Sequence, residues 1–157
     1  MTSLFLRNLF FTILQPGVVA GLVPYFIIRD KISEILSLPF AWFHFLGILI
    51  FAIGLFITLH CITRFAIDGK GTLSPADPTK KLVIRGLYKY TRNPMYVGVM
   101  LILIGEAIFF ASFRLLMYSG IVFSAFTLFV IYFEEPRLKR DFGEEYAEYR
   151  KRVRRWI

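Results

Sequence analysis

Residues 85–98 read RGLYKYTRNPMYVG and open directly onto the apolar run VMLILIGEAIFF. Arg85, Tyr88, Tyr90, Arg92, Asn93 and Tyr96 fall within twelve positions. A membrane helix start with interfacial tyrosines and arginines accounts for some of these residues but not for their density. Pro94 suits the first turn of a helix, where a missing N–H costs nothing. Such a helix start also offers free N–H groups and the positive end of a dipole, which favour an anionic group. A second constellation is Glu134-Glu135, followed by Pro136. These carboxylates sit where another apolar run ends, and the dipole there disfavours acids. A cation must compensate them: Arg92, Arg85, an arginine of the tail, or a ligand. Anion donors, acid acceptors and aromatic faces together suit a zwitterionic ligand with an apolar ring. S-adenosylmethionine has matching needs. Its carboxylate wants donors, its ammonium and ribose hydroxyls want carboxylates, and its sulfonium is drawn to tyrosine faces. Other zwitterionic or nucleotide ligands match the same groups.

The elements that hold these residues follow from composition. The chain has 157 residues, of which 57% are hydrophobic and 18% aromatic, with a formal net charge of +8. Mean hydropathy is +0.61. A domain of this size has too much surface to hide that apolar content from water, so its main solvent is lipid. One domain is expected over 1–157, with a cofactor pocket built from 64–157. The positive charges are clustered, which suits anionic headgroups, and no nucleic-acid module is present. The lone cysteine, Cys61, lies in an apolar run and excludes an internal disulfide or a cysteine-built metal site.

Hydropathy predicts an all-α polytopic membrane protein with four transmembrane helices, at about 9–28, 40–62, 94–112 and 115–133. Each run is near the ~20 residues that cross ~30 Å of hydrocarbon. Pro16, Gly17 and Pro24 predict a kink in the first span, which is read as an anchor rather than a signal peptide. Arg64, Lys70, Lys80, Lys81, Arg85, Lys89 and Arg92 lie between the second and third spans, and the tail from Arg137 to Arg155 is also basic. The other loops carry Arg29, Lys31 and Arg114. The positive-inside rule then puts the 64–92 loop, the tail and both termini in the cytoplasm, in the plasma (inner) membrane if the source is prokaryotic.

In the tail, Phe142, Tyr146, Tyr149, Val153 and Trp156 share one helical face. This predicts an amphipathic helix that lies along the interface or packs on the protein's own loop. The 68–79 segment, DGKGTLSPADPT, reads as turns.

The stretches LVIRGLYKYTRNPMYVG and EEPRLKRDFGEEYAEYRKRV resemble the isoprenylcysteine carboxyl methyltransferase and phospholipid methyltransferase superfamily of integral membrane proteins. The resemblance covers about residues 60–157 and is closest to small prokaryotic members. It implies S-adenosylmethionine as cofactor and S-adenosylhomocysteine as product. It also implies cofactor contacts from Leu82, Val83, Tyr88, Asn93, Pro94, Met95, Tyr96 and Glu134, with Glu135 as partner. The acceptor would be a lipidic or amphipathic small molecule, with membrane lipids as surroundings and no nucleic-acid partner. Arg92 and Glu135 are the catalytic candidates, as groups that orient the acceptor or stabilise the site. No metal is implied. Two departures matter. Asn93 stands where the family often has histidine, and Asn cannot shuttle a proton near neutral pH. Val130 stands where eukaryotic isoprenylcysteine enzymes carry a substrate-contacting arginine.

The expected chemistry is in-line displacement at a methyl carbon, which needs the two reactants held close and away from water. Two rivals are an NADPH-dependent membrane reductase of the sterol-reductase type and a non-enzymatic membrane adaptor. Among lesser candidates, Glu106 interrupts the third span and is expected to hydrogen-bond a neighbouring helix or pair with Arg114. His44 and His60 are too far apart on one helix to share a metal. His60 and Arg64 are candidates for the edge of a substrate entrance. Gly69-Lys70-Gly71 lacks the context of a phosphate-binding loop.

Overall fold

The computed structural model describes residues 16–37, 39–68 and 81–157, with backbone alone for 65–68. Residues 9–15 of the expected first span and the turn-rich 69–80 segment, with Gly69-Lys70-Gly71, lie outside the described residues. A π-helical turn (Val18–Leu22) leads into α1 (Val23–Ile28). Pro24 has no N–H to donate to Ala20, and it is here that the expected distortion of this helix falls. A short α2 (Ile32–Ser37) follows, then the long α3 (Trp42–Asp68), α4 (Pro94–Phe109) and α5 (Phe113–Phe129). A second π-helical turn (Val130–Glu134) joins α5 to α6 (Glu135–Arg152). Among the described residues there is no strand, and Thr91 and Arg154 form an isolated parallel bridge.

Among the described residues, two helices are long and apolar enough to cross a bilayer. One covers Trp42–Arg64, with a mean hydropathy of 2.5; the other lies within the continuous Phe113–Arg152 stretch, with a mean hydropathy of 2.0. Val18–Ile28 and Pro94–Phe109 are apolar but shorter. The outward face of α3 explains the need for lipid. Trp42, Phe45 and Phe56 are 76%, 65% and 69% exposed, an apolar surface that water would not tolerate. The expected third span, 94–112, stops at Phe109. Ala111 then turns the chain at φ 44°, and the Ser112 hydroxyl caps α5 by accepting from the Leu115 N–H.

Glycines set the closest helix contact. A Cβ on Gly47 would meet the Phe109 N at 2.7 Å and the Gly105 O at 2.9 Å. A Cβ on Gly54 would meet the Gly98 O and the Ile102 N, both at 2.7 Å. The pairs 47 with 105 and 54 with 98 have equal sums, so α3 and α4 run antiparallel with backbones touching. Small residues serve membrane helices this way, because dispersion contacts replace the hydrophobic drive that lipid removes. On its other side α4 packs against α5 and the α1 region. Val99, Ile102 and Leu103 bury against Val122 and Ala20, and Ala107 against Leu115 and Ile28. The Tyr118 hydroxyl donates to the Val19 carbonyl at 3.0 Å. This alternation brings the end of α3, the start of α4 and the end of α5 to one end of the bundle.

Candidate active site

The start of α4 meets α5 and the π-helical turn after it through three side chains, Tyr96, Phe126 and Glu134. The Tyr96 hydroxyl donates to Glu134 Oε2 at 3.0 Å, and the Tyr96 ring lies 4.7 Å from that of Phe126. One residue on, Glu135 faces a different set. Arg155 grips it with two bonds, Nε to Oε1 at 2.8 Å and Nη2 to Oε2 at 3.1 Å. Arg92 Nη1 lies 3.0 Å from Glu135 Oε1, with both side chains only 10% exposed. Adjacent residues on an α-helix point about 100° apart, and the π-helical turn ends at Glu134, between α5 and α6. Such turns are frequent at functional sites. The two acids therefore part company: Glu134 looks to α4, and Glu135 to the arginines.

The tail completes the site by folding back. Gly143 sits at φ 47°, ψ −120° inside α6, so the second half of the helix leaves the line of the first. Only glycine adopts this conformation at little cost. Tyr146 and Tyr149 then bury against the 85–92 loop. The Tyr149 hydroxyl donates to the Tyr88 carbonyl at 2.6 Å, and Arg92 Nη1 donates to the Tyr146 hydroxyl at 3.1 Å. Of the two expected placements of this amphipathic face, the protein's own loop takes these tyrosines. The expected helical face is also shorter than its spacing suggested. The helix ends at Arg152, and Val153 is extended so that the tail can bind the start of α4. Arg92 N donates to the Arg154 carbonyl at 2.9 Å, while Thr91 Oγ1 and Asn93 Nδ2 both donate to that of Arg155, at 3.1 and 2.9 Å. Trp156 continues down the bundle onto Phe123, ring to ring at 5.3 Å.

The remaining sequence candidates form the wall behind this cluster. Val83 and Tyr88 are buried with Cys61, and Met95 packs against them; Leu82 is half-buried. The Tyr88 side chain bonds Cys61, and burial pushes its hydroxyl well above the ordinary tyrosine value. Pro94 is fully buried at the helix start. Asn93 is buried with its amide committed to the tail, so it holds backbone in place. His60 lies beside the loop: a Cβ on Gly86 would stand 2.9 Å from its Nε2 and 3.5 Å from Arg64 Nε.

Two buried donors here have no partner among the described residues, Arg92 Nε and Arg137 Nε. Arg137 is close enough for its charge to act on both Tyr96 and Glu134. Neither Arg137, Arg155 nor Tyr146 is marked as a site residue by the sequence alone. The need of the paired acids for a tail arginine is legible there, but which arginine depends on the bend at Gly143. The expected partner of Glu106 is a correction. Arg114 binds Asp30 at 3.4 Å and the Ile27 carbonyl at 3.3 Å, and Glu106 Oε2 is buried without a hydrogen bond among the described residues.

The site thus offers a carboxylate held by one tyrosine, unpartnered guanidinium donors and aromatic walls, all at one end of an apolar bundle. No curated protein matches the chain significantly. The family model for phospholipid methyltransferase matches residues 42–145, from the first residue of α3 to beyond the bend in α6, and the chain belongs to that family.

Proposed function

We propose that this protein transfers a methyl group from S-adenosylmethionine to a lipidic or amphipathic acceptor at the cytoplasmic water–lipid boundary. The observation that carries the reading is Glu134, oriented by Tyr96 and within reach of the charge of Arg137, whose buried Nε has no partner among the described residues, in a chain of the phospholipid methyltransferase family. The residues fit the group. Arg137 Nε meets the need of its carboxylate, Glu134 that of its ammonium or ribose hydroxyls, and the Tyr96 and Phe126 rings give it an aromatic wall. Leu82, Val83, Tyr88, Pro94 and Met95 close the rest, with Asn93 fixing the backbone. When bound, S-adenosylmethionine supplies a methyl carbon activated by a sulfonium.

The protein's own task is then positional. Glu134 and Tyr96 hold charge and direction at the mouth, and the aromatic wall excludes water. Orientation of this kind supplies much of the acceleration of a displacement that needs no covalent help. Arg92 and Glu135 bind each other, Glu135 also binds Arg155, and in this reading they fix the two helix ends at the spacing the reaction requires. The whole of 1–157 acts as one membrane domain of four spans with both termini cytoplasmic, and residues 64–157 form the pocket.

Calorimetry on the purified chain tests this. S-adenosylhomocysteine should bind, and binding should vanish in Glu134→Ala. NADPH binding alone would instead favour a reductase, and binding of neither a non-enzymatic adaptor. Methyl-labelled cofactor with lipid extracts then identifies the acceptor.

A further inference from the structure

Glu106 takes no part in the site above. It lies ten positions beyond Tyr96 on α4, about 15 Å along the helix axis. Its Oε2 is buried and has no hydrogen bond among the described residues. Its expected partner Arg114 is engaged with Asp30, and the Tyr118 hydroxyl with the Val19 carbonyl. Beside it is a cavity of about 240 Å³, lined by Gly47, Ile48 and Phe51 of α3 and by Gly105, Phe109 and Phe110 at the end of α4. Among the described residues, Glu106 supplies the only polar side chain in that lining. Ile48, at its rim, is 48% exposed to the lipid side.

We infer that this cavity binds an apolar molecule carrying one hydroxyl, drawn from the membrane, with the hydroxyl bonded to the Glu106 carboxyl. An ionisable group inside a membrane helix is costly and normally has a partner or a use. A hydroxyl both donates and accepts, so it satisfies a carboxyl oxygen in either protonation state. An ammonium would bring a charge into hydrocarbon, and the described lining has no second polar side chain to share it. The volume exceeds the roughly 150 Å³ of a cavity that binds benzene. It therefore admits an aromatic alcohol or the hydroxyl end of an aliphatic one. The wall is built of rings and aliphatic groups, which suits the carbon part.

The test uses the full chain in lipid nanodiscs with an octanol carrying a photoreactive diazirine. An alkane diazirine of equal length is the control, and sites are mapped by mass spectrometry. The alcohol should label 47–51 and 105–110 at least tenfold more than the alkane, and excess 1-octanol should protect those segments. Glu106→Gln, which keeps hydrogen-bonding capacity, should retain the labelling. Glu106→Leu should lose the preference for the alcohol, and Ile48→Trp should block entry. Thermal unfolding of each variant checks that it folds. If Glu106→Leu fails to fold, Glu106→Gln and Ile48→Trp decide. Equal labelling by alkane and alcohol, no labelling of these segments, or an unchanged preference in Glu106→Leu overturns the inference. None of these readouts depends on methyl transfer.

Discussion

The Tyr96 hydroxyl reaches Glu134 Oε2 at 3.0 Å across 38 residues of chain, and this bond joins the start of α4 to the end of α5. It aims the one acid of the Glu134-Glu135 pair that the arginine cluster leaves to other partners. Tyr96→Phe removes the donor and keeps the ring on Phe126. A neutral-to-charged hydrogen bond of this kind contributes about 1.5–3 kcal/mol, and part of it is recovered when a ligand takes its place. S-adenosylhomocysteine affinity should fall roughly tenfold in calorimetry. An unchanged affinity would remove Tyr96 from the site.

Glu135 should make the fold acid-sensitive. It lies beyond the apolar run that ends at Phe133. Burial pushes its carboxyl up, but the Arg155 hydrogen bond and the charges of Arg92, Arg155 and Arg150 outweigh this and hold it below the ordinary 4.5. A carboxyl lowered on folding stabilises the protein above its unfolded value, and that contribution is lost as pH falls through the folded value. Melting temperature in detergent should therefore drop as pH is lowered below about 4.5, more steeply than in Glu135→Gln. At pH 7 Glu135→Gln itself should cost roughly 3 kcal/mol, the low end for a broken buried pair because Arg155 is partly exposed. Parallel acid limbs in the two proteins would show that another group governs the transition.

The reach of sequence reasoning differs between these residues for a physical reason. Arg92, Tyr96, Glu134 and Glu135 stand at the ends of apolar runs, and membrane thickness alone brings such ends to one level. Arg155 and Arg137 are invisible to that logic, because their place depends on where the tail turns back. The turn is written in Gly143, but a glycine inside a helical pattern does not state its φ. The tail spacing through Val153 and Trp156 continued a helical face past Arg152, yet the bonds to Thr91, Arg92 and Asn93 require extended chain there. Glu106 failed differently. Arg114 is near in sequence, but Asp30, across the bundle, takes it.

The seven-residue spacing of Gly47 with Gly54, and of Gly98 with Gly105, was open to view and identifies the α3–α4 seam. Gly105→Ala would put a Cβ 2.6 Å from the Phe51 N, and backbone must move to admit it. Overpacking of this kind costs about 1–3 kcal/mol. Gly120→Ala, with no described atom within 4 Å, should be neutral or gain up to ~1 kcal/mol from helix propensity. Thermal unfolding of both variants checks the contrast. Equal behaviour would mean that the two helices do not touch through these glycines.

Gly143→Ala separates the bend from the packing around it. No described atom lies within 4 Å of the added carbon, so sterics with neighbours contribute little. The cost is conformational, about 1–3 kcal/mol for a side chain held at φ 47°, ψ −120°. Relief comes by straightening α6, which would carry Tyr146, Tyr149 and Arg155 away from Arg92, Tyr88 and Glu135. Trp156 would leave Phe123 as well. Hydrogen exchange at the Arg92 N–H, bonded to the Arg154 carbonyl, reports the release directly. Faster exchange there in Gly143→Ala, with the middle of α3 unchanged, is the expected result; unchanged exchange at Arg92 would show that the tail holds its place without the bend.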